Sequence, residues 1–246
     1  MNLKIIVPAI VVILIGVVGI SLYQPEDTPN EIMGEPSTNI NSGFDTQLQI
    51  TETNGVKHVI PLDKIKSGGP PKDGIPSIDN PVFVNIQEAG FMSDHDTVIG
   101  LEINGEAKSY PLFILVWHEI VNDRVGGVPV AVTYCPLCYT NQVFERIIDG
   151  KKVEFGTSGK LYNSNLLMYD RLTESYWSQA LGMAVKGELS GYQLNLVPFD
   201  VITWKDWKLL HPETLVLTTD TGYIRSYATD PYGSYYRVTR YVSGRA

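Results

Sequence analysis

The sequence predicts a β-rich α+β domain of short antiparallel strands and hairpins with two helices. Turn signals such as Asn104-Gly105 and Asp149-Gly150 recur at short intervals. Apolar residues alternate with period two around Val130, Val132 and Tyr134, the signature of a strand. The regular strand–helix alternation that builds a parallel sheet is absent.

Taken in order, the chain starts with Ile5–Leu22, an almost continuously apolar run broken only by Pro8, Gly16, Gly19 and Ser21. Lys4 precedes it, and Glu26, Asp27, Glu31 and Glu35 follow it, with no basic residue before Lys57. Positive charge stays on the cytoplasmic side of a membrane, so the body of the protein is expected outside. Residues 1–23 therefore read as a retained single-pass signal-anchor. If they are cleaved near Gly19-Ile20-Ser21, the domain is secreted instead. Residues 24–44, rich in Pro, Asn, Ser, Thr and acids, read as a flexible polar linker. Residues 45–246 then form one extracytoplasmic domain. Without residues 1–22 the chain keeps 18 basic and 27 acidic residues, a formal −9. That balance argues against nucleic acid or an anionic membrane surface as partner.

Within the domain, Val98–Ile103 and Glu106–Tyr110 flank Asn104-Gly105 as a hairpin. Pro111 to Val121 is apolar nearly all round, which predicts a buried helix over about 111–121. Asn122-Asp123 and Gly126-Gly127 would end it. Val130–Tyr134 is a strand that delivers Cys135 at its end. Val143–Ile148 and Lys151–Phe155 read as a second hairpin about Asp149-Gly150. A second helix is expected over about 203–210, with Trp204, Trp207 and Leu210 on one side.

Cys135-Pro136-Leu137-Cys138 holds the only two cysteines in 246 residues. A thiol–disulfide couple needs such spacing, because one thiolate attacks and the other resolves the mixed disulfide. The same pair can be half of a metal site, or a structural clip. A disulfide closing so small a loop adds only about 2 kcal/mol. Thioredoxin-like motifs open a helix, whereas this one lies between β-segments. His118, followed by Glu119, can act as the base that lowers a thiol pKa, or can complete a copper or zinc site with the two thiolates. Met168 and Met183 are further soft atoms but suit core packing.

Gly156-Thr-Ser158-Gly-Lys160 is neither a nucleophile elbow nor a phosphate loop. It reads as a strand–turn of small residues beside something functional. Asn163–Arg171 and Ser175–Gln179 are dense in polar side chains. There, Asp170-Arg171 reads as a structural ion pair, with substrate orientation as its alternative. Tyr223, Tyr227, Tyr232, Tyr235 and Tyr236 suit strand and turn packing, or a binding surface.

These motifs together resemble the domain of unknown function 3179 family. The likeness rests on Asp73-Gly-Ile-Pro76, Tyr110-Pro111 with His118–Asp123, and Thr133–Cys138 with Phe144 and Arg146. It continues through Phe155–Leu161, Asn163–Arg171, Thr173, Ser175, Trp177 and Gln179, then Tyr227 and Asp230–Gly233. It covers roughly 55–236, and Arg237–Ala246 matches nothing recognised. Members of that family are typically exported or anchored, and some are described as selenoproteins. The resemblance therefore implies redox use of the cysteines.

The resulting expectation is a membrane-anchored, extracytoplasmic thiol–disulfide redox protein. Cys135 and Cys138 react, His118 and Glu119 tune them, and Ser158, Asp170, Arg171, Trp177 and Gln179 line the site. The substrate would be a protein thiol or a small molecule. The rivals are a copper or zinc protein using Cys135, Cys138 and His118, and a non-catalytic surface binding module with a structural disulfide.

Overall fold

A computed structural model of the protein describes residues 48–233 and 235. Contacts divide the chain into Met1–Thr46 and Gln47–Ala246, and the fold concerns the second unit. The expected anchor, linker, Tyr236 and residues 237–246 lie outside the described residues. Among those described, no helix is long and apolar enough to cross a membrane.

The domain is built mainly from antiparallel strands, with two short α-helices among the described residues. A three-stranded meander, Ile120–Val125, Val128–Cys135 and Thr140–Glu145, is apolar on both faces. Val130, Val132 and Tyr134 enter one core with Ile99, Leu101 and Tyr110 of a five-stranded sheet. Ala131 and Cys135 enter another with Phe155, Leu166, Met168 and Trp177 of a seven-stranded sheet. Period-two alternation thus sends the two halves of one strand to two different cores. A strand buried on both faces reads as an unbroken apolar run.

The Thr97–Ile103 and Glu106–Pro111 hairpin forms as expected. Asn104 and Gly105 both have positive φ, 51° and 80°, as a type I′ turn requires. The second helix also forms, over Trp204–Leu210, with the Thr203 hydroxyl accepting from Asp206 N at 3.2 Å. Trp204 and Trp207 pack with Val98 and Val216 on the outer face of the five-stranded sheet.

The expected 111–121 helix is a single turn, Leu112–Leu115. At Glu119, φ is 60°, and the chain reverses into the Ile120–Val125 strand. Asn122 and Asp123 are therefore strand residues, not helix breakers. Gly126 and Gly127, both at positive φ, make the hairpin turn to Val128. The β-branched residues Ile120, Val121 and Val125 gain a full ladder with Val128–Thr133, which a helix would forgo. The second expected hairpin is also shorter. Ile147–Ile148 pairs with Lys151–Lys152 across Asp149-Gly150, but Val143–Glu145 belongs to the meander. Arg146 marks the break, and its buried guanidinium donates to the carbonyls of Asp123, Val130 and Val153.

Gly100 shows how tightly the outer helix is seated. A Cβ there would lie 2.4 Å from the Trp207 ring, which is itself buried and tied to Thr214 through its indole N–H at 2.9 Å. Gly100→Ala is expected to cost about 1–3 kcal/mol by overpacking. Gly90→Ala, where a Cβ meets nothing within 4 Å, should stay within about 0.5 kcal/mol. Urea denaturation of the two variants checks the contrast. Equal stabilities would mean that the helix is loosely held.

Candidate functional site

The meander strand Val128–Cys135 ends by placing Cys135 in the second core, 1% exposed. The chain then turns, Cys138 N bonding Cys135 O at 3.4 Å, and Cys138 emerges exposed. Both thiols are free and hydrogen-bond each other. Opposite them is the tip of the Phe155–Tyr162 and Asn165–Asp170 hairpin, with Asn163 and Ser164 in positive φ. The Cys135 thiol points to Ser164 O at 3.9 Å.

The two sulfurs have opposite electrostatic settings. Burial pushes the Cys135 thiol up to about 12, and the neighbouring Cys138 adds to the shift. Burial also opposes ionisation of Cys138, but hydrogen bonds outweigh it and hold its pKa below the ordinary thiol value. The Thr140 hydroxyl lies 3.0 Å from the sulfur, the Asn165 amide donates at 3.3 Å, and Cys135 contributes a third bond. Donors that favour the charged form lower an acid's pKa.

Asn165 is held in place by a buried chain of polar groups. Its amide also donates to Gln179 Oε1 at 2.8 Å, and its own carbonyl accepts from Ala180 N at 2.9 Å. Gln179, fully buried, donates in turn to the Thr133 hydroxyl at 3.2 Å and to Thr140 O at 3.0 Å. This network links the meander, the hairpin and the Tyr176–Ser178 strand end behind one sulfur. Every member is satisfied, so the network is rigid.

The other expected site residues are distributed more widely. His118 is fully buried, with Nδ1 2.8 Å from Pro76 O and Nε2 2.8 Å from the Tyr227 hydroxyl. A carbonyl only accepts, so Nδ1 carries the proton, and Tyr227 donates to Nε2 in the neutral ring. Burial, with help from Arg225, lowers the His118 pKa and favours that neutral form. Both ring nitrogens are thus engaged away from the cysteines, and the groups that tune Cys138 are Thr140 and Asn165. Among the described residues no three His, Cys, Asp or Glu side chains form a group able to hold a metal. Cys135, Cys138 and His118 therefore do not make such a set.

Glu119 is buried beside Tyr134, whose N–H donates to Glu119 O at 2.8 Å. Its carboxyl accepts from the Tyr232 hydroxyl at 3.2 Å. Burial raises its pKa to about 7, against the lowering effect of that bond. Burial, Glu119 and, to a smaller extent, Cys135 raise the pKa of Tyr232 in turn.

Asp170 and Arg171 do not pair. Asp170, fully buried, accepts from Trp177 Nε1 at 2.9 Å and from the N–H groups of Leu172 and Thr173. Arg171 turns outward to Asp79 at 2.7 Å, Glu154 at 3.0 Å and the Ser77 hydroxyl at 2.9 Å. Ser158 sits at a bulge, where its hydroxyl donates to Leu167 O and accepts from Lys160 N. Trp177 and Asp170 are a core pair, Ser158 shapes a strand, and Gln179 alone of the five reaches the thiols, through Asn165.

The family model described as Protein of unknown function (DUF3179) matches residues 72–244, well over half of the chain. The chain belongs to the DUF3179 family. The DUF3179 match begins at 72, just before the Asp73 motif and later than the expected start near 55, and it runs on to 244, so most of Arg237–Ala246 is family sequence. No curated protein and no solved structure matches the chain.

Proposed function

We propose that this DUF3179 member is a thiol–disulfide redox protein in which Cys138 attacks and Cys135 resolves. The observation that carries the reading is the split between two neighbouring sulfurs. One is exposed with its pKa lowered, and the other is buried with its pKa raised. A structural disulfide needs no such difference. The charge asymmetry around Ile5–Leu22 supports a location at the outer side of the cytoplasmic membrane, where disulfides persist.

The chemistry balances without a cofactor. The Cys138 thiolate attacks one sulfur of a substrate disulfide, forming a mixed disulfide and releasing the other substrate sulfur as a thiolate. That step removes the negative charge on Cys138, one of the causes that raises Cys135. The Cys135 thiol then loses its proton and attacks the Cys138 sulfur. The second substrate thiolate leaves, and the Cys135–Cys138 disulfide remains. Run backwards, the same steps oxidise a substrate dithiol.

A glutathione titration with alkylation trapping tests this reading. A working pair titrates above the range below about −300 mV that marks structural disulfides. A pair that stays oxidised through the whole glutathione range would overturn it. Asn165→Ala supplies a finer check. Losing one donor to the thiolate, worth about 1 kcal/mol or somewhat more, should slow iodoacetamide alkylation of Cys138 at pH 7 about threefold to tenfold. The pH midpoint of the reaction should move upward. An unchanged pH profile would remove Asn165 from the site.

A further inference from the structure

We propose that a cleft on the C-terminal side of the Leu112–Leu115 turn binds a small organic molecule with an apolar body and a single carboxylate. The cleft has a volume of about 520 Å³, within the ~300–1,000 Å³ typical of ligand sites. Ile75 lies on one wall, Val116 and Trp117 on another, and Ile224, Arg225 and Tyr232 complete it. This inference does not depend on the redox reading, since the Cys138 sulfur bonds Thr140, Asn165 and Cys135 and none of these residues.

The segment that forms the third wall is fastened by three consecutive residues that follow the turn. Trp117 Nε1 donates to Thr229 O at 3.1 Å, His118 meets the Tyr227 hydroxyl at 2.8 Å, and Glu119 accepts from Tyr232 at 3.2 Å. Tyr227 is further held by Thr221 at 2.6 Å. The wall is thus built in advance and not left for a ligand to assemble. Preformed walls reduce the ordering cost of binding.

Charge decides the class of ligand. The protein is acidic, with a formal net charge of −8, yet this cleft contains a half-buried arginine. Among the described residues Arg225 makes no ion pair; its one hydrogen bond is to the adjacent Ile224 carbonyl at 3.0 Å, and its guanidinium lies 5.9 Å from the Tyr223 ring centroid. Its charge reaches two neighbouring side chains: it adds to the burial that lowers the His118 pKa, and it opposes the burial that raises the Tyr227 pKa. A guanidinium matches a carboxylate with two parallel hydrogen bonds. Among the described residues no second cation lines the cleft, so a doubly charged phosphate would keep one charge uncompensated. Next to the arginine, Ile224 exposes 98% of its surface, and Ile75 and Trp117 line the same cleft. An apolar ligand body would cover that surface.

Calorimetric titration of the full chain tests the proposal with two probe pairs. These are decanoate against decanamide, and naphthalene-2-carboxylate against its amide. The expected result is that at least one acid binds tenfold or more tightly than its neutral amide. Arg225→Ala should abolish that preference while leaving the amide's affinity unchanged, and Arg225→Lys should restore part of it. Quenching of Trp117 emission, lost in Trp117→Phe, places the probe in the cleft. The proposal is overturned if neither acid outbinds its amide, or if Arg225→Ala keeps the preference. The same titration on a Cys135→Ser/Cys138→Ser double variant should give wild-type affinities, so this result and the redox result stand or fall separately.

Discussion

Cys138→Ser is expected to abolish both alkylation and disulfide exchange, whereas Cys135→Ser should alkylate normally and stall with a mixed disulfide. The reason is the asymmetry of the pair. Cys138 is exposed and its thiolate is stabilised by Thr140, Asn165 and Cys135. Cys135 is buried to 1% and held protonated, so it cannot substitute as the first nucleophile. Reactivity follows the fraction of thiolate and its access. Once Cys138 is joined to a substrate, only Cys135 is positioned to release it. Incubation with oxidised glutathione, followed by intact-mass measurement, distinguishes the variants. Wild type should return to the unadducted disulfide, Cys135→Ser should accumulate one adduct per chain, and Cys138→Ser should show none. An adduct on Cys138→Ser at the wild-type rate would reverse the assigned roles. A Cys135→Ser protein that clears its adduct would end the resolving role.

Part of this arrangement was legible from the residues alone. The strand that delivers Cys135 shows its period in Val130, Val132 and Tyr134, and Thr203 with Trp204 and Trp207 marks the second helix. In each case the signal is local: a turn residue, a cap or a repeat. The 111–121 run failed because an apolar stretch without period fits a buried helix and a buried strand equally. Its true state is set by the Val128–Thr133 strand it pairs with. His118 was misdirected for a related reason. Its partners, Pro76 and Tyr227, lie 42 and 109 residues away, and nothing in the local sequence indicates them. Thr140 stands two residues after Cys138, near enough in sequence to mark its hydroxyl as a partner of the thiol. Asn165 was one of several polar residues in a hairpin, and only the fold shows that it, not Arg171, turns toward the sulfur.

The pairing of Asp170 with Arg171 failed on strand geometry, and the same geometry predicts a large stability effect. Adjacent residues at a strand end face opposite sides, so one enters the core and the other meets solvent. Asp170 is fully buried and gathers the Trp177 indole N–H, two backbone N–H groups and the Thr173 hydroxyl. Asp170→Ala leaves those donors unsatisfied beside a buried tryptophan. Each buried group left unpaired costs about 1–3 kcal/mol, so a loss of about 3–5 kcal/mol is expected, a large share of a typical domain's 5–15 kcal/mol. Asp170→Asn keeps the volume and one acceptor oxygen and should lose about half as much. Arg171→Ala removes a partly exposed network and should cost about 1 kcal/mol or less. Urea unfolding of the three variants ranks them directly. Because Asn165 and Asp170 are the two ends of one strand, the Cys138 alkylation profile should be taken on the folded Asp170→Asn protein. An unchanged profile there, with Asp170→Ala strongly destabilised, makes Asp170 the anchor of the strand and leaves the tuning of the thiol to Asn165. If Asp170→Ala is as stable as Arg171→Ala, the buried carboxylate is not the anchor that its bonds describe.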